Sequence, residues 1–257
     1  MKLIFDHITG KLTNHDLIYS LTLGKFKKKE YSYALENGWI PLSWYYTKLN
    51  ELTWINARNT RLLLNKFTFS KKQRKTLRKK DITVEVYNKL DDALFTTISN
   101  IYKKYIKYKK FYETDFEEES EIFEREDFIN WKYFIYYYKN KPIAFTEFKV
   151  FDSNHVLTGQ FGWDYENPKL SMGTYATLHE IDWAIKNKCK KYYLSYGYEN
   201  TSLYKSRFDG FEFWNGRSWL SDKTLYKKLC EHDTEINTIQ ELNIYQRKYF
   251  KLNGKTT

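Results

Sequence analysis

The chain has 257 residues and a formal net charge of +11, from 43 Lys and Arg against 32 Asp and Glu. Its contents of 42% hydrophobic and 19% aromatic residues exclude a disordered chain, which could not bury enough apolar surface to offset its conformational entropy. Only 10 Gly and 3 Pro exclude collagen-like and linker-dominated architectures. The length allows one large domain or two smaller ones, and the positive charge indicates a polyanionic partner or an anionic surface.

The two cysteines, Cys189 and Cys230, lie far apart and outside any CxxC motif. We therefore expect a reduced, cytoplasmic protein without a disulfide framework or a metal site. No apolar run approaches the roughly 20 residues that a membrane span needs, and the segment Met1–Asp6 lacks the pattern of a signal peptide. The sequence thus predicts no membrane partner.

The first part of the chain is rich in aromatic residues, and we expect residues 1–65 to form an N-terminal subdomain. A basic stretch follows, with eight cations and no acid between Lys66 and Lys80. Ser70, with Gln73 three residues later, predicts a capping box at the start of a short helix. A lone basic run is usually a solvated face, but in a net-basic chain it also suits contacts with phosphates.

A strand and an amphipathic helix are predicted next. Ile82–Tyr87 alternates between apolar and polar residues, which is typical of a strand. From about Asp91 to Tyr112, apolar residues recur at the steps of a helix with one buried face. These positions are Leu94, Ile98, Ile101, Tyr105 and Tyr108. The nine acids between Glu113 and Asp127 predict a solvated loop or helix, or alternatively a docking surface for a basic acceptor.

The second half of the chain predicts one central sheet. Its expected elements are strands at Phe134–Tyr138, Ile143–Phe151 and Val156–Trp163, a helix at Gly173–Lys186, a strand at Lys191–Tyr196 and a hairpin turn at Asn215-Gly216. The order predicts an α/β (α+β) fold with a central mixed sheet, in which residues 66–220 form a GNAT-like acyltransferase core. Residues 221–257 are expected to form a helical extension.

A series of motifs in this half occurs in a characteristic order. The motifs are Trp163-Asp164 with Pro168, Leu170–Tyr175, Leu178–Ile181, Lys191–Tyr198, Tyr204–Phe208 and Trp214–Trp219, with the basic segment Phe67–Arg74 upstream. In order and spacing they resemble the arginyl-tRNA–protein transferases and their bacterial leucyl relatives. The family's N-terminal cysteine cluster has no counterpart in this sequence, so no metal is expected and an acidic protein N-terminus is in doubt as the acceptor.

The resemblance implies a transferase that moves an amino acid from charged tRNA to an amine, with arginine as the first candidate and leucine as the second. The acceptor would be a protein, peptide or small-molecule amine, and no cofactor is expected beside the aminoacyl-tRNA donor. Because the ester is already activated, the enzyme mainly has to position two substrates and stabilise an oxyanion. This requirement fits a sequence without an evident nucleophilic triad.

We assign candidate roles to three groups of residues. The catalytic candidates are Glu147, Asp164 and Tyr175; the two carboxylates would orient the donor ammonium or assist the acceptor amine, although each also suits a purely structural position. The substrate-binding candidates are Trp163, Ser171, Gly173, Thr174, Tyr196, Tyr198, Tyr204, Lys205 and Arg207. The tRNA-binding candidates are Lys71, Lys72, Arg74, Lys75 and Arg78.

Two other functions remain open from the sequence. An acyl-CoA-dependent GNAT N-acetyltransferase would share the fold, but Leu170 and Tyr175 stand where such enzymes carry a cation and a small residue. A non-catalytic tRNA-binding protein would bind tRNA whether or not it is charged. Neither alternative would transfer an amino acid from charged tRNA, so this activity distinguishes the aminoacyltransferase from both.

Overall fold

The computed structural model describes residues 3–12, 15–42, 53–78, 81–109, 130–236, 238, 240–242 and 244. By its internal contacts the chain divides into two compact units. The first combines Met1–Thr60 with Tyr196–Thr257, and the second is Arg61–Ser195. Within the described residues, no helix is both long enough and apolar enough to cross a membrane.

Strands predominate among the regular elements of the described residues. The strands are β1 (Leu3–Leu12), β2 (His15–Gly24), β3 (Trp39–Leu42), β4 (Thr53–Asn56), β5 (Asn59–Leu63), β6 (Ile82–Tyr87), β7 (Asn130–Tyr138), β8 (Lys141–Val150), β9 (His155–Trp163), β10 (Lys191–Tyr196), β11 (Phe211–Trp214) and β12 (Trp219–Leu220). The α-helices are α1 (Tyr31–Glu36), α2 (Lys71–Leu77), α3 (Asp92–Lys109), α4 (Met172–Lys186) and α5 (Lys223–His232). Shorter 3₁₀ segments include Pro168–Leu170, Asn200–Arg207 and Asp233–Glu235.

The first unit contains an antiparallel sheet in the order β1-β2-β4-β3. Trp54 on β4 is fully buried, and the rings of Phe26 and Tyr31 pack against it. Gly38 has φ +76° and lies against the indole of Trp214, where a side chain would collide. This glycine therefore fixes the position of the β11–β12 hairpin within the unit.

The sheet of the second unit runs in the order β5-β10-β9-β8-β7-β6, and β5 enters this unit at Arg61. Strands β6 to β9 are antiparallel, and β10 follows α4 to lie parallel to β9. Along β7, Tyr133 and Ile135 join the α3 side of the core, whereas Phe134 packs its ring on His179 and Trp183 of α4. Since alternate residues of a strand point to opposite faces, α3 and α4 cover opposite faces of this sheet.

The predicted α/β fold with a central mixed sheet is confirmed. Three antiparallel strands, a helix and a parallel strand succeed one another as in the GNAT-like core that the sequence predicted. The turn between β7 and β8 is made by Lys139 and Asn140, both with positive φ, as a tight hairpin requires. The predicted capping box is also present, since Gln73 N donates to Ser70 Oγ at 3.2 Å.

One position of the predicted α3 stripe is wrong. Leu94, Ile98 and Ile101 are buried as expected, but Tyr108 is 56% exposed. At this end of the helix the buried face is carried by Ile106 instead. Tyr108 lies seven residues after Ile101, on the same face of the helix, but it is the last residue but one of α3, and its ring stacks on Tyr165 instead of entering the core.

Candidate functional site

The parallel strands β9 and β10 pair over a short stretch only. Lys191–Tyr193 pairs with His155–Leu157, although β9 continues to Trp163 and β10 to Tyr196. Ser195, with φ +64°, bends β10 just after the paired stretch. The two strands therefore part toward their C-terminal ends, which is where α/β proteins commonly bind ligands.

Helix α4 begins shortly after β9, and its first turn has no side-chain cap. The N-cap residue Ser171 is exposed, has left-handed φ and ψ of 51° and 49°, and makes no capping hydrogen bond. Gly173 is half-buried and Thr174 is exposed in the turn that follows. Because the first N–H groups of a helix lack intrahelical acceptors and carry the positive end of its dipole, this turn can bind an oxyanion or a phosphate oxygen.

Tyr175 lies on the core side of this first turn. Its ring meets Tyr136 edge-on, with 5.9 Å between the ring centroids, and stacks near His179 at 6.1 Å. Burial raises the pKa of the Tyr175 phenol, so the group is a neutral hydrogen-bonding hydroxyl.

Glu147 lies on β8 at an irregularity in the pairing with β9, between Thr146 and Phe148. Its side chain is buried, and its Oε2 accepts a hydrogen bond from Gln160 N at 3.4 Å. Gly159 leaves room for it, because a Cβ there would lie 2.8 Å from the Glu147 Cβ. The glycine and the irregularity together hold this carboxylate between β8 and β9.

Asp164 follows the last residue of β9, and its backbone N–H donates to Ile143 O at 3.0 Å. Burial raises the pKa of its carboxyl, and its Oδ2 accepts no hydrogen bond from the described residues, with Lys141 Nζ at 4.0 Å. Ile143 is four residues along β8 from Glu147, a span of roughly 13 Å. Glu147 and Asp164 therefore cannot act on the same proton, and each would serve a different group.

A buried acid lies deeper between α4 and the sheet. Glu180 is 1% exposed, and its Oε2 accepts a short hydrogen bond from the Tyr192 hydroxyl of β10. Burial raises the pKa of Glu180 to about 7, while the hydroxyls of Tyr192, Thr146 and Thr158 oppose the shift. Glu180 was not among the residues predicted from the sequence. The visible signal was its position on a buried helical stripe, four residues from both Ala176 and Ala184.

The predicted tRNA-binding cations lie on and just after α2, which packs against α4. All five are exposed: Lys71, Lys72, Arg74, Lys75 and Arg78. Arg74 donates to the carbonyl of Phe69, and none of the five forms an ion pair with a residue that the structure describes. Helix α2 thus presents positive charge to solvent beside α4, which begins near the place where β9 and β10 part.

Among the other predicted substrate-binding residues, Trp163 ends β9 in the second unit, whereas the rest lie in the first unit: Tyr196, Tyr198, Tyr204, Lys205 and Arg207. Lys205 is buried, its Nζ donates to Tyr196 O at 2.5 Å, and burial lowers its pKa to about 7. Tyr198 is buried, and its hydroxyl accepts from Arg58 N at 2.9 Å. Tyr204 and Arg207 are exposed on the same 3₁₀ segment as Lys205. The structure therefore divides the predicted site residues between the two units.

Sequence reasoning also missed a buried ion pair in the first unit. Arg58 Nη1 and Nη2 bind the Asp233 carboxylate at 2.7 and 3.0 Å, and Glu199 N donates to the same carboxylate at 2.7 Å. The Arg58 guanidinium also lies 4.5 Å from the Tyr198 ring centroid. No local pattern indicated the pair, because its partners are 175 residues apart.

No family model and no curated protein matches the sequence. Among solved structures, the chain is similar to the C-terminal domain of a protein assigned as a lysylphosphatidylglycerol synthetase from Agrobacterium fabrum, with 11% identity, a TM-score of 0.46, and coverage of 85% of this chain and 59% of that one. It is also similar to L-PGS from Bacillus licheniformis, with 10% identity, a TM-score of 0.43, and coverage of 86% of this chain and 61% of that one. A third similar structure is FemX, with 9% identity, a TM-score of 0.41, and coverage of 76% of this chain and 79% of that one.

The chain thus spans about three fifths of the first two structures. At these identities and TM-scores the likenesses carry no argument about function. None of the three is an arginyl- or leucyl-tRNA–protein transferase, so the predicted family rests on the sequence motifs.

Proposed function

We propose that this protein is an aminoacyltransferase that moves an amino acid from the 3′ end of a charged tRNA to an amine. One observation carries the proposal: the basic helix α2 packs against α4, and α4 begins with an uncapped turn near the opening between β9 and β10. The helix proposed to contact phosphates and the turn proposed to bind an oxyanion thus belong to the same unit.

The reaction makes modest demands on the protein. The acceptor nitrogen attacks the ester carbonyl carbon, the new C–N bond forms, the C–O bond to the ribose breaks, and the amine proton ends on the ribose oxygen. An α-amine with a pKa of about 7.7–8.0 is partly neutral near pH 7, so a strong base is not required. The N–H groups of the first turn of α4 would stabilise the oxyanion, and Glu147 or Asp164 would orient an ammonium.

Several features favour aminoacyl-tRNA over an acyl-CoA donor. A diphosphate bound at a helix N-terminus needs close approach of the backbone, which small residues allow. In this protein Tyr175 occupies that turn, and Leu170 stands where a cation would assist. The sequence resemblance makes arginine the first candidate donor and leucine the second, with a peptide N-terminus or a small amine as the acceptor.

The experiment combines purified protein with tRNA charged separately with arginine or leucine, and with peptides that begin with Asp, Glu, Arg or Ala. Mass spectrometry should show a peptide that has gained the mass of one aminoacyl residue. Parallel reactions with uncharged tRNA and with acetyl-CoA serve as controls. A peptide that gains the mass of an acetyl group from acetyl-CoA would contradict the proposal. Binding of tRNA with no gain of mass on any acceptor peptide would also contradict it.

A further inference from the structure

Three aromatic rings stack where β9 ends and α3 finishes. The ring centroid of Tyr165 lies 4.0 Å from that of Trp163 and 3.8 Å from that of Tyr108, with interplanar angles of 27° and 10°. Two rings at such distances cannot share one face of a third ring. Tyr165 is therefore the middle ring, with Trp163 on one face and Tyr108 on the other.

Exposure increases along this stack from the inside outward. Trp163 is 5% exposed, Tyr165 is half-buried, and Tyr108 is 56% exposed. The buried indole N–H of Trp163 donates to no described residue, so ring packing holds this side chain in the stack. Since Tyr165 covers one face of the Tyr108 ring, the opposite face is the one open to a ligand.

The open ring lies among positive charges. Lys109 Nζ is 5.4 Å from the Tyr165 ring centroid. The last two turns of α3 carry four exposed lysines, Lys103, Lys104, Lys107 and Lys109. The exposed Glu166, which follows Tyr165 in the sequence, already accepts from Lys104 at 3.1 Å and from Lys141 at 2.5 Å. The surroundings of the ring therefore suit an anionic ligand.

We propose that the open face of Tyr108 stacks on an unpaired nucleobase of an RNA strand whose phosphates contact the lysines of α3. Flat aromatic faces beside cations are the means by which proteins bind single-stranded nucleic acid. An apolar peptide would meet one ring among several ammonium groups, whereas a nucleotide matches both the ring and the charge. The inference rests on the proposed function, because the unpaired 3′ end of tRNA is the strand that this function brings to the protein.

The test compares intact tRNA with tRNA trimmed of its unpaired 3′ nucleotides, by fluorescence anisotropy. The protein should bind intact tRNA more tightly than trimmed tRNA. Tyr108→Ala and Tyr108→Leu should weaken binding of intact tRNA roughly tenfold and leave trimmed tRNA unaffected, because one base stack is lost. Tyr108→Phe keeps the ring and should bind both as the parent does.

The matched control is Tyr33→Ala, which removes another exposed tyrosine, on α1, and should change neither affinity. The inference is overturned if Tyr108→Leu binds intact tRNA as the parent does, or if it weakens both tRNAs equally. If the transfer assay yields no product while the effect of Tyr108 on intact tRNA persists, the proposed function fails and the stacking site stands.

Discussion

At the scale of single residues, Glu180 is an acid that folding keeps away from water. Only its raised pKa of about 7, against an ordinary value of 4.5, allows the carboxyl to remain protonated near neutrality. The folded protein therefore holds a proton that the unfolded chain releases. The resulting stability is present below the ordinary pKa and is lost as the pH rises from about 4.5 through about 7.

Glu180→Gln should remove this loss, since the amide stays neutral and its oxygen can still accept from Tyr192. We expect the variant to be more stable than the parent at pH 8 by up to about 3 kcal/mol, and nearly equal to it at pH 5. Urea denaturation at the two pH values measures the difference. The exposed Glu231→Gln serves as the control, and an equal gain at both pH values would contradict the account of Glu180.

The Arg58–Asp233 pair is the second prediction at this scale. Asp233→Ala leaves a buried guanidinium without its carboxylate, and it also removes the acceptor for Glu199 N. The free energy of unfolding should fall by about 3 to 5 kcal/mol. Glu231→Ala breaks the exposed Lys227–Glu231 pair of α5 and should cost less than about 0.5 kcal/mol. Similar losses for the two variants would show that the buried pair is not a main stabiliser.

At the scale of elements, α2 is a short helix whose capping box fixes it in place while its cations remain in solvent. Replacing Lys71, Lys72, Lys75 and Arg78 by Gln should weaken tRNA binding and make it less dependent on salt. The slope of log K against log salt should fall by roughly 3 if each cation contacts one phosphate. Anisotropy titrations at several salt concentrations measure this slope.

The control for α2 removes the same charge elsewhere, by replacing Lys188, Lys190, Lys227 and Lys228 with Gln. All four are exposed and lie outside α2. We expect the affinity for tRNA and the slope of log K against log salt to fall in the α2 variant and not in this control. If the two variants weaken binding equally, the tRNA responds to net charge and α2 is not its contact surface.

At the scale of the whole molecule, the second unit follows local rules that a sequence displays. Alternation and turn chemistry predicted β6 to β10 and α4 in their order, and Ser70 with Gln73 predicted the start of α2. The sequence could not predict the Glu180–Tyr192 bond or the Arg58–Asp233 pair, because both depend on which distant segments pack together. The exposure of Tyr108 was missed for a smaller reason: helical spacing gives the face on which a residue lies, but not that α3 ends one residue later.

The most direct measurement of the central claim is the fate of the aminoacyl ester. Charged tRNA, protein and acceptor peptide are mixed, and the fraction of tRNA still charged is followed by acid gel electrophoresis beside a reaction without peptide. The account predicts loss of the ester that requires both protein and peptide and equals the modified peptide formed. Ester loss that is the same without peptide, or a charged fraction that protein and peptide together leave unchanged, would contradict it.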